Sequence, residues 1–455
     1  MDPAGSSRKA TAQPGTRAAR SRAARRNSRS VRPPPIVATP GTGASVDTAP
    51  DRRSETVALR VALGCVVLAL ASSACRGQSD ASANASATVT IGIITALTGP
   101  QAAFGQAHQR GYAIALDEVN EAGGVLGKKV ALDIYDDQSK PDIALQGASK
   151  LVDQDRVPIL LGSYSSESSL ALVPTVTRKQ VSFVVPTATA DDIVEQKSAW
   201  VFRLCAGSAD YAGAMVDFLK NHGAPKTIAI VSENTNFGQS NAAAMRRAAL
   251  RSAMTVSDEE AYGAGSPSYS PMLERVKEAR PDVIYFASYL LDATTLMRQS
   301  RQIDLNARMF TAAGAGFSAA EFPTADKGAG SDAEYTVAVS QWVPAVKWPG
   351  AADFDQKFVA RYGAHPAYHA IQAYAALKVA IAAIGKAASI DRVAIRNALR
   401  DISLEGPFGP IHFAENGQNH HPVIVTQVQK GKHVVVWPAD IAAAPVLETP
   451  PWSSR

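Results

Sequence analysis

Cysteine is nearly absent from this chain. There are three in 455 residues, and only Cys205 lies beyond residue 75. A disulfide within the body is therefore excluded, and the lone thiol in "VFRLCAG" is expected to pack as a small hydrophobe. Signatures of catalysis are missing too. The Gly-rich "AAGAGF" (312–317) lacks the Gly-Lys-Ser/Thr ending of a phosphate-binding loop, and no Gly-x-Ser-x-Gly elbow occurs. His420-His421 falls in a loop. His365 and His369 stand i, i+4 apart on an expected helix, but no third metal ligand lies near them in sequence. The acidic doublets Asp136-Asp137 and Asp191-Asp192 follow strands, where carboxylates cap turns and helices more often than they form an acid–base pair. Neither an enzyme, a metal site nor a cofactor is expected.

Basic charge is unevenly placed. Residues 1–60 hold twelve basic and four acidic residues, and the rest of the chain holds 34 and 37. The body is slightly acidic despite a predicted pI near 9.0, so nucleic acid is not an expected partner. Residues 1–56 are dense in Pro, Gly, Ser and Arg without hydrophobic periodicity. They read as a disordered basic extension, or as the product of a start site placed too early, with translation beginning near Val57.

Residues 57–75, "VALRVALGCVVLALASSAC", have the form of a signal peptide: a cation, an apolar run of about eleven residues and a small-residue approach to Cys75. The run is short of the ~18–20 residues that span a bilayer. Ser73-Ala74-Cys75 resembles a lipobox, which would make Cys75 the acylated anchor, but Ser72 departs from the pattern. Cys65 is a competitor, and plain secretory cleavage is the other reading. Residues 76–88 read as a flexible tether.

From residue 89 the pattern alternates. "TVTIGIITAL" is a buried strand, and the helix after it carries Tyr112, Ala115, Leu116 and Val119 on one face before a Gly123-Gly124 stop. "KVALDIYD", "VPILLGS" and "VSFVVPT" continue as strands with helices between them. After Cys205 the alternation resumes through "TIAIVSE", "VSDEEAYG", "DVIYFAS" and "RMFTAA". Such runs predict parallel sheets covered on both faces, an α/β architecture of two doubly wound lobes. Two long helices follow, then an antiparallel pair turning at Lys430-Gly431-Lys432.

The loops after these strands carry a resemblance. "TVTIGIITALTGPQAAFGQAHQRGYAIALDEVNEAGGVLGKKVALDIYDDQSKPDIA", "LLGSYSSESSLALVPTVTRKQVSFVVPTAT", "VSENTNFGQS", "YFASYLLDATTLMRQ" and the closing "PPW" resemble the substrate-binding proteins of branched-chain amino acid (Leu/Ile/Val) ABC transporters, over about 88–455. The resemblance implies two lobes joined by three hinge crossovers near 204–206, 335–338 and 405–410. Lobe one would be 88–204 plus 337–405, lobe two 206–336 plus 406–440, and 441–455 a C-terminal tail.

It also implies a ligand site in the cleft. Tyr164, Ser165, Ser166, Ala188 and Thr189 would hold a carboxylate with the help of a helix N-terminus, and Phe104, Phe237 and Tyr289 would wall its apolar body. The family's acidic partner for a ligand ammonium would fall at Gly314, in a stretch with no acid. Either Glu167 or Asp292 substitutes, or the ligand lacks the amine. The expected function is an exported, monomeric receptor, periplasmic or anchored to the cell envelope at Cys75, that hands a small amphipathic carboxylate to an ABC permease. A ligand-sensing domain for a membrane signalling partner is the alternative.

Overall fold

The computed structural model describes residues 88–455; the basic extension, the signal segment with Cys65 and Cys75, and all but the last residue of the tether lie outside the described residues. The first sheet is built by β1 (Thr88–Thr95), β2 (Lys129–Asp136), β3 (Ile159–Gly162), β4 (Ser182–Val185) and β5 (Val201–Arg203). Helices α1 (Ala102–Glu121), α2 (Pro141–Ser149), α3 (Ser166–Lys179) and α4 (Asp192–Glu195) alternate with them. The strand order is β2-β1-β3-β4-β5, all parallel. Apolar side chains fill both faces of this sheet, in one cluster under α1 and another under α2 and α3. That explains why β3 and β4 read as unbroken apolar runs.

The chain then enters a second lobe through α5 (Ser208–Asn221), β6 (Thr227–Glu233), α6 (Asn236–Arg251), β7 (Thr255–Tyr262), α7 (Ser270–Glu278), β8 (Val283–Ala287), α8 (Leu290–Gln302), β9 (Met309–Ala312) and β10 (Val337–Ser340). It returns to the first lobe for α9 (Ala351–Tyr362), α10 (Tyr368–Ala387), α11 (Arg392–Arg400) and a small hairpin, β11 (Ser403–Gly406) with β12 (Gly409–His412). It ends in the second lobe with β13 (Ile424–Gln429) and β14 (Lys432–Trp437). The second sheet runs β14-β13-β10-β9-β8-β6-β7. The β13–β14 hairpin turns at Lys430 and Gly431, both with positive φ (53° and 71°), which suits a two-residue turn.

Two crossover positions differ from those expected. Val337–Ser340 pairs with Thr311–Ala312 and with Ile424–Gln427, so it belongs to the second sheet and the chain crosses only after Ser340. The third crossing is also later. Phe408, Ile411 and Phe413 are buried in the lobe-one core, and Gln418 pairs with Arg203 at the end of β5, so the segment from 406 to about 419 stays with lobe one. The C-terminal tail packs along lobe two, with the Trp452 indole donating to the Leu305 carbonyl at 2.6 Å.

The long helix α10 is apolar enough to span a membrane by length and composition, but most of it is buried inside the fold. It packs against α1. The closest approach is at Gly111, where an added Cβ would stand 1.9 Å from the Ala370 carbonyl oxygen. Gly111→Ala is expected to force these helices apart and destabilise the protein by about 1–3 kcal/mol, the usual range for overpacking a close contact. Urea unfolding checks this, and an unchanged midpoint would contradict it.

Candidate functional site

Loops at the C-terminal ends of the parallel strands of both sheets meet between the lobes, the position where open α/β sheets bind ligands. The β3–α3 loop brings Tyr164, Ser165 and Ser166. Ser165 is the N-cap of α3, its Oγ accepting from the Ser168 amide at 3.1 Å. Ser166 Oγ instead accepts from the Ala190 amide at 3.2 Å, joining this loop to the one after β4. In that second loop Thr189 Oγ1 accepts from Asn241 of α6 at 3.3 Å. Each hydroxyl thus has a lone pair occupied by an N–H and keeps its own proton to donate. Two donors beside the N-terminus of a fourteen-residue helix favour an anion.

The loop after β4 is held from below by Arg203. Its guanidinium, in a residue 2% exposed, donates to the carbonyls of Thr189 (2.9 Å) and Ala190 (2.6 Å) and to Gln418 (2.5 Å), with Asp191 at 3.6 Å. Cys205 is fully buried and points at the Ala188 carbonyl at 3.3 Å; burial pushes its thiol up to about 12. It is a packed side chain, as its sequence context suggests.

Aromatic rings close the site. Phe104 stacks on Tyr164 at 4.5 Å, and Phe237 stacks on Tyr289 at 4.8 Å. The two stacks meet, with Tyr164 and Tyr289 centroids 5.9 Å apart, so rings from lobe one join the core of lobe two. Between them lies a gap of about 10 Å³. Tyr164, Ser166, Ala188, Thr189, Phe237 and Tyr289 line it, as do Thr187, Ala315 and Tyr368, which the sequence did not single out, and His369, which it raised only as a metal candidate. Phe104 stands behind Tyr164, and Ser165 is committed to its cap. His365 and His369 do not share a helix: α10 begins at Tyr368, and His365 is exposed and paired with Asp355 at 2.8 Å. Among the described residues no group of three or more potential metal ligands forms.

Gly314 sits where a side chain has no room. An added Cβ would meet the Tyr368 hydroxyl at 2.9 Å and Tyr211 at 3.1 Å, and the Ala315 amide donates to that same Tyr368 hydroxyl at 2.9 Å. Of the two substitute acids, Asp292 is turned onto the Gly265 amide. Glu167 faces the cleft and spans the lobes, accepting from the Phe237 amide at 3.1 Å and the Tyr289 hydroxyl at 3.3 Å.

A further carboxyl stands beneath Tyr289. Glu233, 1% exposed, accepts from the Tyr289 amide at 2.6 Å, while its Oε2 has no donor. Burial first, then the charges of Asp292 and Glu167, push this carboxyl well above the usual range.

The periplasmic binding protein family model matches residues 88–432. The chain belongs to this family. It is a non-enzymatic solute-binding protein of the branched-chain amino acid ABC-transporter type. It is 30% identical over 335 residues to the Leu/Ile/Val-binding protein BraC3 of Rhizobium johnstonii, covering 73% of this chain and 89% of that one. The leucine-binding protein LivK of Thermotoga maritima shares its fold at TM-score 0.71 and 26% identity, covering 76% of this chain and 97% of that one. A benzoate-bound solute-binding protein of R. palustris has the same architecture, with TM-score 0.71, 19% identity and coverage of 79% and 97%. Family membership makes this binding protein an exported one.

The raised Glu233 carboxyl has a consequence for stability. The folded state holds that proton more tightly than the unfolded chain does. The contribution is complete below the unfolded carboxyl's pKa, about 4.3, and is lost as pH rises toward the folded value. Glu233→Gln is expected to flatten this decline between about pH 5 and 8, measured as urea stability against pH. Parallel profiles for wild type and variant would contradict the assignment.

Proposed function

We propose that this protein is the solute receptor of an ABC importer and that it binds a small amphipathic carboxylate between its lobes. The observation that carries this reading is the pair of hydroxyls, Ser166 and Thr189, each with a lone pair taken by an N–H and its proton left for a carboxylate oxygen. The α3 N-terminus and the positive charge of Arg203 behind the loop add to the field. Phe104, Tyr164, Phe237 and Tyr289 enclose the apolar body. With only about 10 Å³ between them, the two stacks must part for a ligand to enter, and the Glu167 links across the lobes must open with them.

The cargo in this reading is an acid without an amine. A buried ammonium left unpaired costs several kcal/mol, and Gly314, where the resemblance puts the family's acidic partner, carries no side chain and has the Tyr368 hydroxyl 2.9 Å from where a Cβ would stand. After loading, the receptor acts as a monomer and delivers ligand to its permease.

Two measurements test this. Calorimetric titration of the purified chain with branched aliphatic and aromatic carboxylates should find a ligand, and at a hundredfold its Kd that ligand should add about 2.7 kcal/mol of stability. Ser166→Ala should weaken it about tenfold or more, the loss of one hydrogen bond to a charged group, and should also lower the unliganded stability by about 1–3 kcal/mol because the buried Ala190 amide loses its acceptor. Equal affinity for the carboxylate and its methyl ester would sink the reading.

Membrane attachment is tested separately. Lipid anchoring at Cys75 predicts that Cys75→Ala moves the protein from the membrane fraction to the soluble one. An unchanged distribution would refute the anchor.

A further inference from the structure

Behind the gap, α1 and α10 carry polar atoms that the site described so far does not use. His369 lines the gap and is 1% exposed. Aromatic rings surround it, Tyr368 at 3.9 Å, Phe104 at 4.9 Å and Tyr164 at 5.4 Å between centroids. Its Nδ1 has no hydrogen-bond partner. On α1, His108 is fully buried with Nδ1 on the Thr95 hydroxyl at 3.1 Å, and its Nε2 is unpartnered. The Tyr112 hydroxyl and both amide atoms of Gln372, in residues with no exposed surface, are also unpartnered. Buried polar groups are seldom left unpaired, and a set of them beside a binding cleft points to a polar group that arrives with the ligand.

The chemistry of that group follows from what faces it. Burial, followed by the neighbouring His108, holds the His369 imidazole well below its ordinary pKa, and burial alone lowers His108 to about 3. Both rings are neutral, so each offers one donor and one acceptor and no charge. An ammonium gains no counter-charge from them, and a second carboxylate gains no cation. Glu167 is held by the Phe237 amide and the Tyr289 hydroxyl, not by either ring. A hydroxyl satisfies a neutral ring nitrogen in either sense, as donor or acceptor.

We propose that His369 contacts the ligand and reads a neutral hydroxyl on it, so that the cargo is a hydroxylated, amine-free carboxylate. This deepens the receptor reading and rests on it. His108, Tyr112 and Gln372 would complete the polar surface behind His369, directly or through a water carried in with the ligand.

The test is calorimetric titration of the full chain with acids that differ by one hydroxyl. The pairs are 4-methylpentanoate against 2-hydroxy-4-methylpentanoate, and benzoate against 3- and 4-hydroxybenzoate, with leucine and phenylalanine as amine-bearing controls. At least one hydroxylated member should bind about tenfold or more tightly than its parent, and neither amino acid should match it. His369→Leu should erase that preference, bringing each hydroxylated acid to within about threefold of its own parent in the variant. His369→Asn, which keeps a donor and an acceptor, should retain part of it.

Equal binding of every pair by the wild type, a preference that survives in a folded His369→Leu, or tighter binding of an amino acid would each overturn the proposal. The first of these outcomes leaves the carboxylate receptor standing. If no carboxylate binds at all, the receptor reading fails and this inference with it.

Discussion

A buried guanidinium sits where three parts of the molecule meet. Arg203 closes β5 just before the first crossover, holds the carbonyls of the Thr189–Ala190 loop, and pairs with Gln418 just before the last crossover. Taking such a charge out of water costs several kcal/mol, and only a near-complete set of acceptors offsets it. Those acceptors are the backbone that aims Ala188 and Thr189 at the cleft. The geometry of the candidate site and the path of the hinge therefore depend on one side chain that does not itself line the gap. Its charge also lies behind the two hydroxyls, on the side that favours an anion in front of them.

Around this anchor the two lobes use different means to meet. Lobe one supplies hydroxyls and a helix N-terminus, and lobe two supplies Phe237, Tyr289 and Asn241. Glu167 crosses between them on two hydrogen bonds, and four aromatic rings pack across the same seam. Hydrogen bonds and ring contacts of this kind form and break with modest cost, which suits an interface that has to open for each ligand. Gly314 puts no side chain into this seam, and an added Cβ there would meet the Tyr368 hydroxyl at 2.9 Å.

Much of this was legible in the sequence, and the parts that were not have physical reasons. Strand and helix alternation is a local signal, and it located β1 to β4 and β6 to β9 with their helices. Which sheet a strand joins is not local: Val337–Ser340 looks the same whichever lobe it enters, and only its pairing with β9 and β13 decides. The β11–β12 hairpin, "SLEGPFGPIH", is short and rich in Gly and Pro, so it reads as a linker. Ser166 and Ser165 are adjacent, and sequence could not say which one caps α3. Arg203 did leave a trace, as a lone cation ending an apolar stretch in "VFRLC". His369 drew notice only as a metal candidate beside His365, because its burial and its unpaired nitrogen come from the packing of α10 against distant loops.

The most direct test of the account is a crystal structure of the protein with a bound carboxylate from the titration panel. The carboxylate oxygens are expected on the Ser166 and Thr189 hydroxyls and the α3 N-terminus, with the ligand body between the Phe104–Tyr164 and Phe237–Tyr289 stacks. A ligand found outside this seam, for instance in the groove beside Trp342 and His433, would contradict it.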